Sequence, residues 1–201
     1  MNEIMALLVG VGLAAASGLR VFVPLFITSL IASGNVDMFS EVDVQAMLGD
    51  QDWLANPWVT LVLGIATVLE IGSYYIPWLD NALDFVATPA ALVAGTFITG
   101  AMMPEMMGDG SFKWIMATIA GGGTSGLFQG ASVIVRGGST ATTGGIGNPV
   151  VSTVELVGSV LTTVLAIVVP LIGAVLVLIL MYLALRTLYR FFNNRSKTRL
   201  V

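Results

Sequence analysis

The chain is dominated by long apolar stretches, two of which exceed the length of one straight membrane crossing. The first runs from Met5 to Ala32 and the second from Val150 to Leu185. As helices they would measure about 42 Å and about 54 Å, against about 30 Å for the hydrocarbon core of a bilayer. Each stretch must therefore tilt strongly or break.

Proline and glycine mark the predicted breaks. Gly18 and Pro24 flank Arg20 in the first stretch, and Pro170 with Gly173 interrupts the second. Because proline removes a backbone donor and clashes with the preceding turn, we expect a broken or kinked first helix and two separate spans in the second stretch.

Composition identifies the class of protein. The 201 residues are 56% hydrophobic and 10% charged, with a mean hydropathy of +0.93, whereas about a quarter of the residues in soluble domains are charged. We predict a single membrane domain over 1–201 with an all-α, polytopic fold.

The absence of cysteine and histidine excludes thiolate chemistry, the usual zinc sites and a Ser-His-Asp triad. We accordingly expect no enzyme activity, no cofactor, no metal and no nucleic-acid partner.

About six spans with short loops account for the length of the chain. Polar loops are expected at 33–55, where an amphipathic stretch is included, at 104–111, and from Arg136 to Pro149. Besides the broken first stretch, the spans are predicted at Pro57 to about Pro77, roughly Leu83 to Met103, about Phe112 to Val135, Val150 to Val169 and Leu171 to Phe191.

Basic residues crowd the C-terminal end, since five of the eight Lys and Arg lie in the last sixteen residues. Cytoplasmic segments of membrane proteins carry an excess of basic residues, so the tail 193–201 is predicted to be cytoplasmic. Six crossings then place both termini on the cytoplasmic side of a bacterial inner membrane.

Short motifs recur in the same order in the two halves of the chain. Three spans in each half, an odd number, would insert the second copy upside down. We therefore predict two inverted three-helix repeats with broken helices, over about 4–103 and about 112–192, as in many secondary transporters; chance matches are the alternative. The matching motifs are Ser17-Gly18-Leu19 with Ser125-Gly126-Leu127, Asn56-Pro57 with Asn148-Pro149, and Pro77 with Pro170.

Five of the charged residues in or beside the predicted spans are candidates for charge pairing, ion coupling or helix capping. Arg20 is predicted to meet an anionic substrate or a carboxylate, because an unpaired arginine within the membrane costs at least about 2.5 kcal/mol; snorkelling to an interface is the alternative. Glu70 and Glu155 are candidates for ion coupling or for pairing with Arg20. Asp80 and Asp84 are further charge-pair candidates beside the third span, where Asp80 is favoured as a helix N-cap.

The segment Arg136 to Pro149 is rich in glycine and hydroxyl residues and is expected to be irregular. It resembles a potassium-channel filter superficially, and an anion-binding backbone nest is the alternative. Gly122, Gly126 and Gly130, spaced four apart, predict a glycine zipper in the fourth span. Together with Arg20 and Glu70, the predicted substrate-binding residues are Ser17, Ser125, Arg136, Ser139, Thr140, Thr142, Thr143 and Asn148.

Three motifs in order resemble a family of bacterial integral membrane proteins known as domain of unknown function 4126. They are "GLAAASGLRVFVPL" from Gly12, "LEIGSYYIPWLDNALDFVATPAALVAG" from Leu69 and "GGSTATTGGIGNPVVSTVE" from Gly137. The likeness covers nearly the whole chain. It implies basic residues in the loop between the fourth and fifth spans, of which this chain keeps Arg136.

These features favour a small transporter or permease that moves an anionic or lipid-phosphate-like solute, in a homo-oligomer for which we favour a dimer. An oligomeric ion channel that uses the segment "STATTGGIG" as a filter is the first alternative. The second is a membrane scaffold without transport activity, whose glycine zipper and basic C-terminal helix bind partners or anionic lipid.

Overall fold

A computed structural model describes residues 3–34, Val44, Leu48, 52–103 and 110–198. Every regular element in these ranges is helical, so the all-α prediction is confirmed for them. The helices are α1 (Glu3–Leu19), α2 (Phe22–Ala32), a short 3-10 helix (Asp52–Ala55), α3 (Pro57–Ser73), α4 (Pro77–Met102), α5 (Gly110–Ala117), α6 (Gly123–Thr143), α7 (Asn148–Val168) and α8 (Pro170–Thr198). A π-helical segment at Thr118–Gly122 joins α5 to α6.

Three helical stretches are long and apolar enough to cross a membrane: Leu83–Met102, Asn148–Val168 and Pro170–Asn193. The apolar helices α1, α2 and α3 are shorter. Large apolar side chains cover the outer faces of the bundle, such as those of Phe85 and Val68, which are 86% and 69% exposed. An apolar exterior of this kind is that of a membrane protein.

Both long apolar stretches break, as predicted. The first breaks at Arg20 and Val21, between α1 and α2, and the second at Val169, between α7 and α8. Pro24 is the third residue of α2, and Pro170 is the first residue of α8. Proline is tolerated in the first turn of a helix because the backbone donor it removes has no partner within the helix there.

The first break reverses the chain, so that α1 and α2 form a hairpin rather than one crossing. Gly10 in α1 accepts a hydrogen bond from Thr99, near the end of α4, whereas Val21 packs against Ala87, nearer its start. The chain then returns, because Trp53, which follows α2, contacts Phe97 near the end of α4. The predicted single broken crossing over 5–32 is therefore wrong.

The remaining helices alternate in direction. We call the side where α1 begins the first side of the bundle, and the side of the hairpin tip the second. Helices α3, α8 and the continuous α5–α6 run from the first side to the second, and α4 and α7 run back. The α3–α4 pair thus runs in the sense opposite to that of α7–α8, while α1 and α6, which carry the Ser-Gly-Leu match, run in the same sense.

The polar segment after the fourth span is more regular than predicted. Helix α6 continues to Thr143, and only Gly144 to Gly147 form a turn, with Gly144 at a φ of 65°. The hydroxyl of Thr142 donates to the Gly138 carbonyl and that of Thr143 to the Ser139 carbonyl. Hydroxyl residues can make such bonds within a helix, so the prediction of a loop from Arg136 onwards is wrong.

The structure also bears on the predicted cap at Asp80, the predicted C-terminal tail and the two predicted polar loops. Helix α4 begins at Pro77 and its N-cap is Ile76, so the prediction of Asp80 as N-cap is wrong. The backbone is helical to Thr198, which includes most of the predicted tail 193–201. The predicted loops at 33–55 and 104–111 lie largely outside the described residues, although Val44 and Leu48 are described and are buried in the core.

Glycine permits the closest helix contacts. A Cβ on Gly18 would collide with the Ser125 carbonyl and with the Phe128 Cβ, so α1 and α6 cross there almost backbone to backbone. Gly121 meets the Gly95 carbonyl of α4 in the same way. The predicted zipper is not one uniform surface, because Gly122 and Gly126 face Thr96 and Leu92 of α4, whereas Gly130 lies near Leu188 of α8.

The crossing at Gly18 predicts a difference between two glycine substitutions. Gly18→Ala should lower the free energy of unfolding by about 1–3 kcal/mol, because backbone atoms must move apart. Gly138→Ala, in an exposed helical position with nothing within 4 Å, should raise it by up to about 1 kcal/mol. Thermal unfolding of the two variants in detergent measures the difference. Equal midpoints would contradict the close crossing.

Candidate functional site

The hairpin tip brings Arg20 into the interior of the bundle. Its side chain is only 2% exposed, and Nη2 donates to the Ser152 carbonyl of α7 at 2.7 Å. The same nitrogen lies 3.5 Å from Oε2 of Glu155. Of the partners considered for Arg20, an anionic substrate or a carboxylate, the structure places a carboxylate beside it, that of Glu155.

Glu70 has a different role from the predicted one. Its Oε1 accepts a hydrogen bond from the Val21 backbone at 2.7 Å, and its Oε2 accepts one from Phe22 at 3.0 Å. These N–H groups open α2, which has no side-chain cap of its own. Glu70 thus caps α2 from α3, and a carboxylate is favoured there by the positive end of the helix dipole. Among the described residues no ion pair joins Glu70 to Arg20, so of the two glutamates considered as partners of Arg20 only Glu155 pairs with it.

A second buried arginine completes an ion-pair network. The Arg136 side chain bonds both carboxylate oxygens of Glu155, through Nε at 3.2 Å and through Nη2. Its Nη1 lies 3.3 Å from Oδ1 of Asp84 on α4. Ser132, one turn before Arg136, donates to Oε1 of Glu155. Helices α4, α6 and α7 are therefore joined through charged side chains that are largely shielded from solvent.

Tyr74, at the end of α3, separates the two arginines. The guanidinium carbons of Arg20 and Arg136 each lie 3.9 Å from the centre of its ring. Two planar groups at that distance cannot share one face without overlap, so the ring lies between them. Cation–π attraction is strongest where water is excluded, and Tyr74 is only 4% exposed. The ring thus holds two like charges near each other.

The cluster lies near the second side of the bundle rather than at mid-height. Glu70 is three residues before the end of α3, and Glu155 is seven residues after the start of α7. On a helix with a rise of 1.5 Å per residue, these positions are about 5–10 Å from the helix ends. The site is therefore closer to the ends of α3 and α7 on the second side than to their ends on the first side.

The other predicted binding residues lie apart from this cluster or at its edge. Ser17 and Ser125 are fully buried and donate to carbonyls of their own helices, Leu13 and Gly122. Thr142 is exposed. The side chain of Asp80 is outside the described residues. Ser139, Thr140, Thr143 and Asn148 form the end of the α6–α7 hairpin, where Asn148 donates to the Thr140 hydroxyl at 3.0 Å.

Sequence reasoning missed Tyr74, Ser132 and Ser152. The two serines were detectable by helical spacing, because Ser132 precedes Arg136 by four residues and Ser152 precedes Glu155 by three, and such neighbours share a helix face. Tyr74 stands at the end of an apolar span, where tyrosine ordinarily marks the membrane interface. Nothing in the sequence distinguishes it from such a residue.

Part of the cluster is left without a protein partner. Among the described residues, Arg20 Nε, Arg20 Nη1 and the Ser152 hydroxyl are buried and accept or donate no hydrogen bond. Buried polar groups are normally satisfied, and an unsatisfied guanidinium donor is costly in an apolar interior. These groups are the free binding capacity of the site, and their chemistry suits an oxyanion.

Two apolar grooves reach the cluster from opposite parts of the surface. One, of about 420 Å³, lies between α6, α7 and α8 and has Ser132 and Glu155 among its lining residues. The other, of about 270 Å³, lies between α2, α3 and α4 and reaches Glu70 and Tyr74. Among the described residues no group of three or more acidic side chains is arranged to hold a metal ion.

The cap on α2 predicts a graded effect of substitutions at Glu70. Glu70→Ala removes both acceptors and should lower the free energy of unfolding by about 1.5–3 kcal/mol, the range for hydrogen bonds to a charged group. Glu70→Gln keeps one acceptor oxygen and should lose less. Urea or thermal unfolding in detergent checks the order of stability. Equal stability of Glu70→Ala and the unmodified protein would contradict the capping role.

Comparison with known proteins gives one match. No curated protein and no solved structure matches the chain. Residues 7–190 match the family described as Domain of unknown function (DUF4126). This match includes every residue of the cluster, and it confirms the resemblance found in the sequence. The chain belongs to the DUF4126 family.

Proposed function

We propose that the protein is a small membrane transporter that moves a single-chain amphiphile with an oxyanion headgroup, such as a lipid phosphate. The observation that carries this proposal is Arg20, a fully enclosed guanidinium with two donor nitrogens that no described residue satisfies. A phosphate or carboxylate oxygen is the partner that such planar donors bind best.

The grooves support an amphiphile over a small ion. The larger groove is lined mostly by apolar side chains, including Leu19, Phe128 and Val154, and its polar lining residues are Ser132, Glu155 and Thr187. An alkyl chain would lie along the apolar part while its headgroup reaches toward the cluster. A purely inorganic anion has no apolar part that could contact such a surface.

The depth of the cluster supports the same substrate class. Headgroups of lipids lie at the boundary of the hydrocarbon core, and the cluster is only about one to two helical turns from the ends of α3 and α7. A headgroup can therefore reach Arg20 without crossing the apolar core first.

We also propose an orientation in the bacterial inner membrane. The basic C-terminal part of α8 favours the cytoplasm for the second side of the bundle. The acidic segments 33–55 and 104–111 follow the first side, which is then external. Because α1 and α2 form a hairpin, the start of α1 is external, in place of the prediction that both termini are cytoplasmic.

The inverted repeat is proposed in a reduced form. Pro57 and Pro149 both lie in the first turns of helices, and Pro77 and Pro170 both begin the following helix. These landmarks support a two-helix inverted repeat of α3–α4 with α7–α8. The predicted three-helix version needs α1 and α6 to be opposed, and they run in the same sense.

A carbonyl filter receives less support than a side-chain site. Ser139 to Thr143 form the last helical residues of α6 rather than an extended loop, and the Gly138 and Ser139 carbonyls accept hydrogen bonds from the Thr142 and Thr143 hydroxyls. We therefore do not propose the channel as a second function.

A flux measurement tests the transporter. In proteoliposomes the protein should accelerate transbilayer movement of a fluorescent, NBD-labelled dodecyl phosphate, read from its accessibility to dithionite. Labelled inorganic phosphate and chloride in parallel arms distinguish an amphiphile from a free anion. The larger acceleration is expected for the amphiphile, and no acceleration of any of the three would refute the proposal.

Arg20→Lys provides the matched variant. It keeps the charge but removes the planar donors, so the apparent affinity for the phosphate probe should fall by about tenfold or more. Arg190→Lys, at an exposed position on α8, should transport like the unmodified protein. Equal affinities of Arg20→Lys and Arg190→Lys for the phosphate probe would show that Arg20 does not bind the headgroup.

A further inference from the structure

We propose that Glu155 is a proton-binding residue that couples the transport of each anion to the movement of one proton. This inference rests on the proposed function, since it concerns the same site. It assigns the coupling ion and the residue that carries it.

The partners of Glu155 distinguish it from Glu70. Glu70 is held by two backbone N–H groups at a helix start, which cannot turn toward another acceptor. Glu155 is held by side chains alone, those of Arg20, Arg136 and Ser132. Side chains can rotate to a new partner, so Glu155 is the carboxylate whose ion pairs an incoming anion can replace.

Several neighbouring elements place charged or titratable groups around Glu155. Arg20 lies between α1 and α2, Arg136 belongs to α6, and Asp84 on α4 shares Arg136 with Glu155. The ring of Tyr74, which follows α3, lies between the two guanidinium groups, and Glu70 on α3 accepts from the Val21 and Phe22 backbone. Helix α2 contains no titratable residue, and α8 contributes only Leu180, Leu183, Ala184 and Thr187 to the groove beside Glu155.

Competition for Arg20 couples the two ions. An oxyanion on Arg20 would lie next to the Glu155 carboxylate, which is only 3.5 Å from the same guanidinium, and like charges at such distances repel strongly in a medium of low dielectric. Protonation of Glu155 to the neutral acid removes the repulsion and frees Arg20 for the anion. Release of the anion restores the Arg20–Glu155 pair and returns the proton to water. One negative and one positive charge thus move together.

A buried line of polar side chains on α7 gives the proton a path. Asn148, Ser152, Glu155, Ser159 and Thr162 are spaced by four and three residues, so they share one face of the helix. All are buried, and the line extends about 21 Å along the axis.

Two hydroxyl groups in this line have unused hydrogen-bonding capacity. Those of Ser152 and Thr162 are fully buried and make no hydrogen bond to any described residue. Hydroxyl groups in that state are suited to ordered water, and alternating hydroxyls and water relay protons. Ser159 is fixed between them by its bond to the Ala16 carbonyl at 3.0 Å.

The test measures protons and anions in the same vesicles. Proteoliposomes contain the pH indicator pyranine, and NBD-labelled dodecyl phosphate is added outside in trace amounts. The ratio of protons to anions moved should be higher by about one for the unmodified protein than for Glu155→Gln, whose side chain is neutral throughout. The probe's own titration contributes equally to both ratios and cancels.

A gradient of one pH unit across the vesicle membrane should shift the equilibrium distribution of the probe between inside and outside by about tenfold with the unmodified protein, and not with Glu155→Gln.

Two threonine variants test the path. Thr162→Val removes an unsatisfied hydroxyl at nearly constant volume, so it should leave the thermal midpoint unchanged while slowing proton-driven transport severalfold. Thr153→Val removes an exposed hydroxyl of the same helix and should leave that rate unchanged. Equal rates for the two variants would overturn the path along α7.

The outcomes separate this inference from the proposed function. Anion movement by the unmodified protein with the same proton ratio as Glu155→Gln would overturn the coupling and leave the transporter intact. No movement of dodecyl phosphate or of inorganic phosphate would overturn both.

Discussion

The two hydrogen bonds from the start of α2 to Glu70 are the interaction on which the site depends. A chain that turns back inside a membrane protein exposes backbone N–H groups where no water can satisfy them. Glu70 accepts two of these groups through its two carboxylate oxygens. The residue before them is Arg20, so the cap on α2 also fixes where the guanidinium enters the bundle.

A guanidinium group placed inside the bundle needs carboxylates close by to compensate its charge. The two buried guanidinium groups of Arg20 and Arg136 face the carboxylates of Glu155 and Asp84, and the ring of Tyr74 lies between them. Removing charges from water costs several kcal/mol for each ion unless close partners replace the lost hydration. The network is asymmetric, because all three guanidinium nitrogens of Arg136 bond Glu155 or Asp84, whereas Nε and Nη1 of Arg20 bond no described residue.

Apolar length predicted much of the fold, because helix geometry and bilayer thickness are fixed. The breaks near Arg20 and at Pro170 follow from that argument, as does the all-α architecture. Apolar length did not predict the direction of the chain after the first break. A kink and a reversal have the same local sequence requirements, and only contacts such as those of Gly10 with Thr99 and of Trp53 with Phe97 distinguish them.

The site was predicted less completely than the fold. Charge in an apolar stretch identified Arg20, Glu70 and Glu155, since such residues must be compensated. The choice of partners depends on how helices rotate and slide against one another, which residue type alone does not encode. The hydroxyl-rich end of α6 misled for a related reason: serine and threonine weaken helices in water, but bonds to their own helix carbonyls let them continue a helix inside protein.

The two glutamates lie at unequal positions in two helices that both carry proline in the first turn. Glu70 lies thirteen residues after Pro57, and Glu155 lies six residues after Pro149. Because α3 and α7 run in opposite senses, equal positions in the two helices would lie on opposite sides of the bundle. Unequal positions instead bring both carboxylates to the same side, where one caps a helix and the other pairs with the arginines. Their partners also differ in kind, because backbone N–H groups hold Glu70 whereas the side chains of Arg20 and Arg136 pair with Glu155.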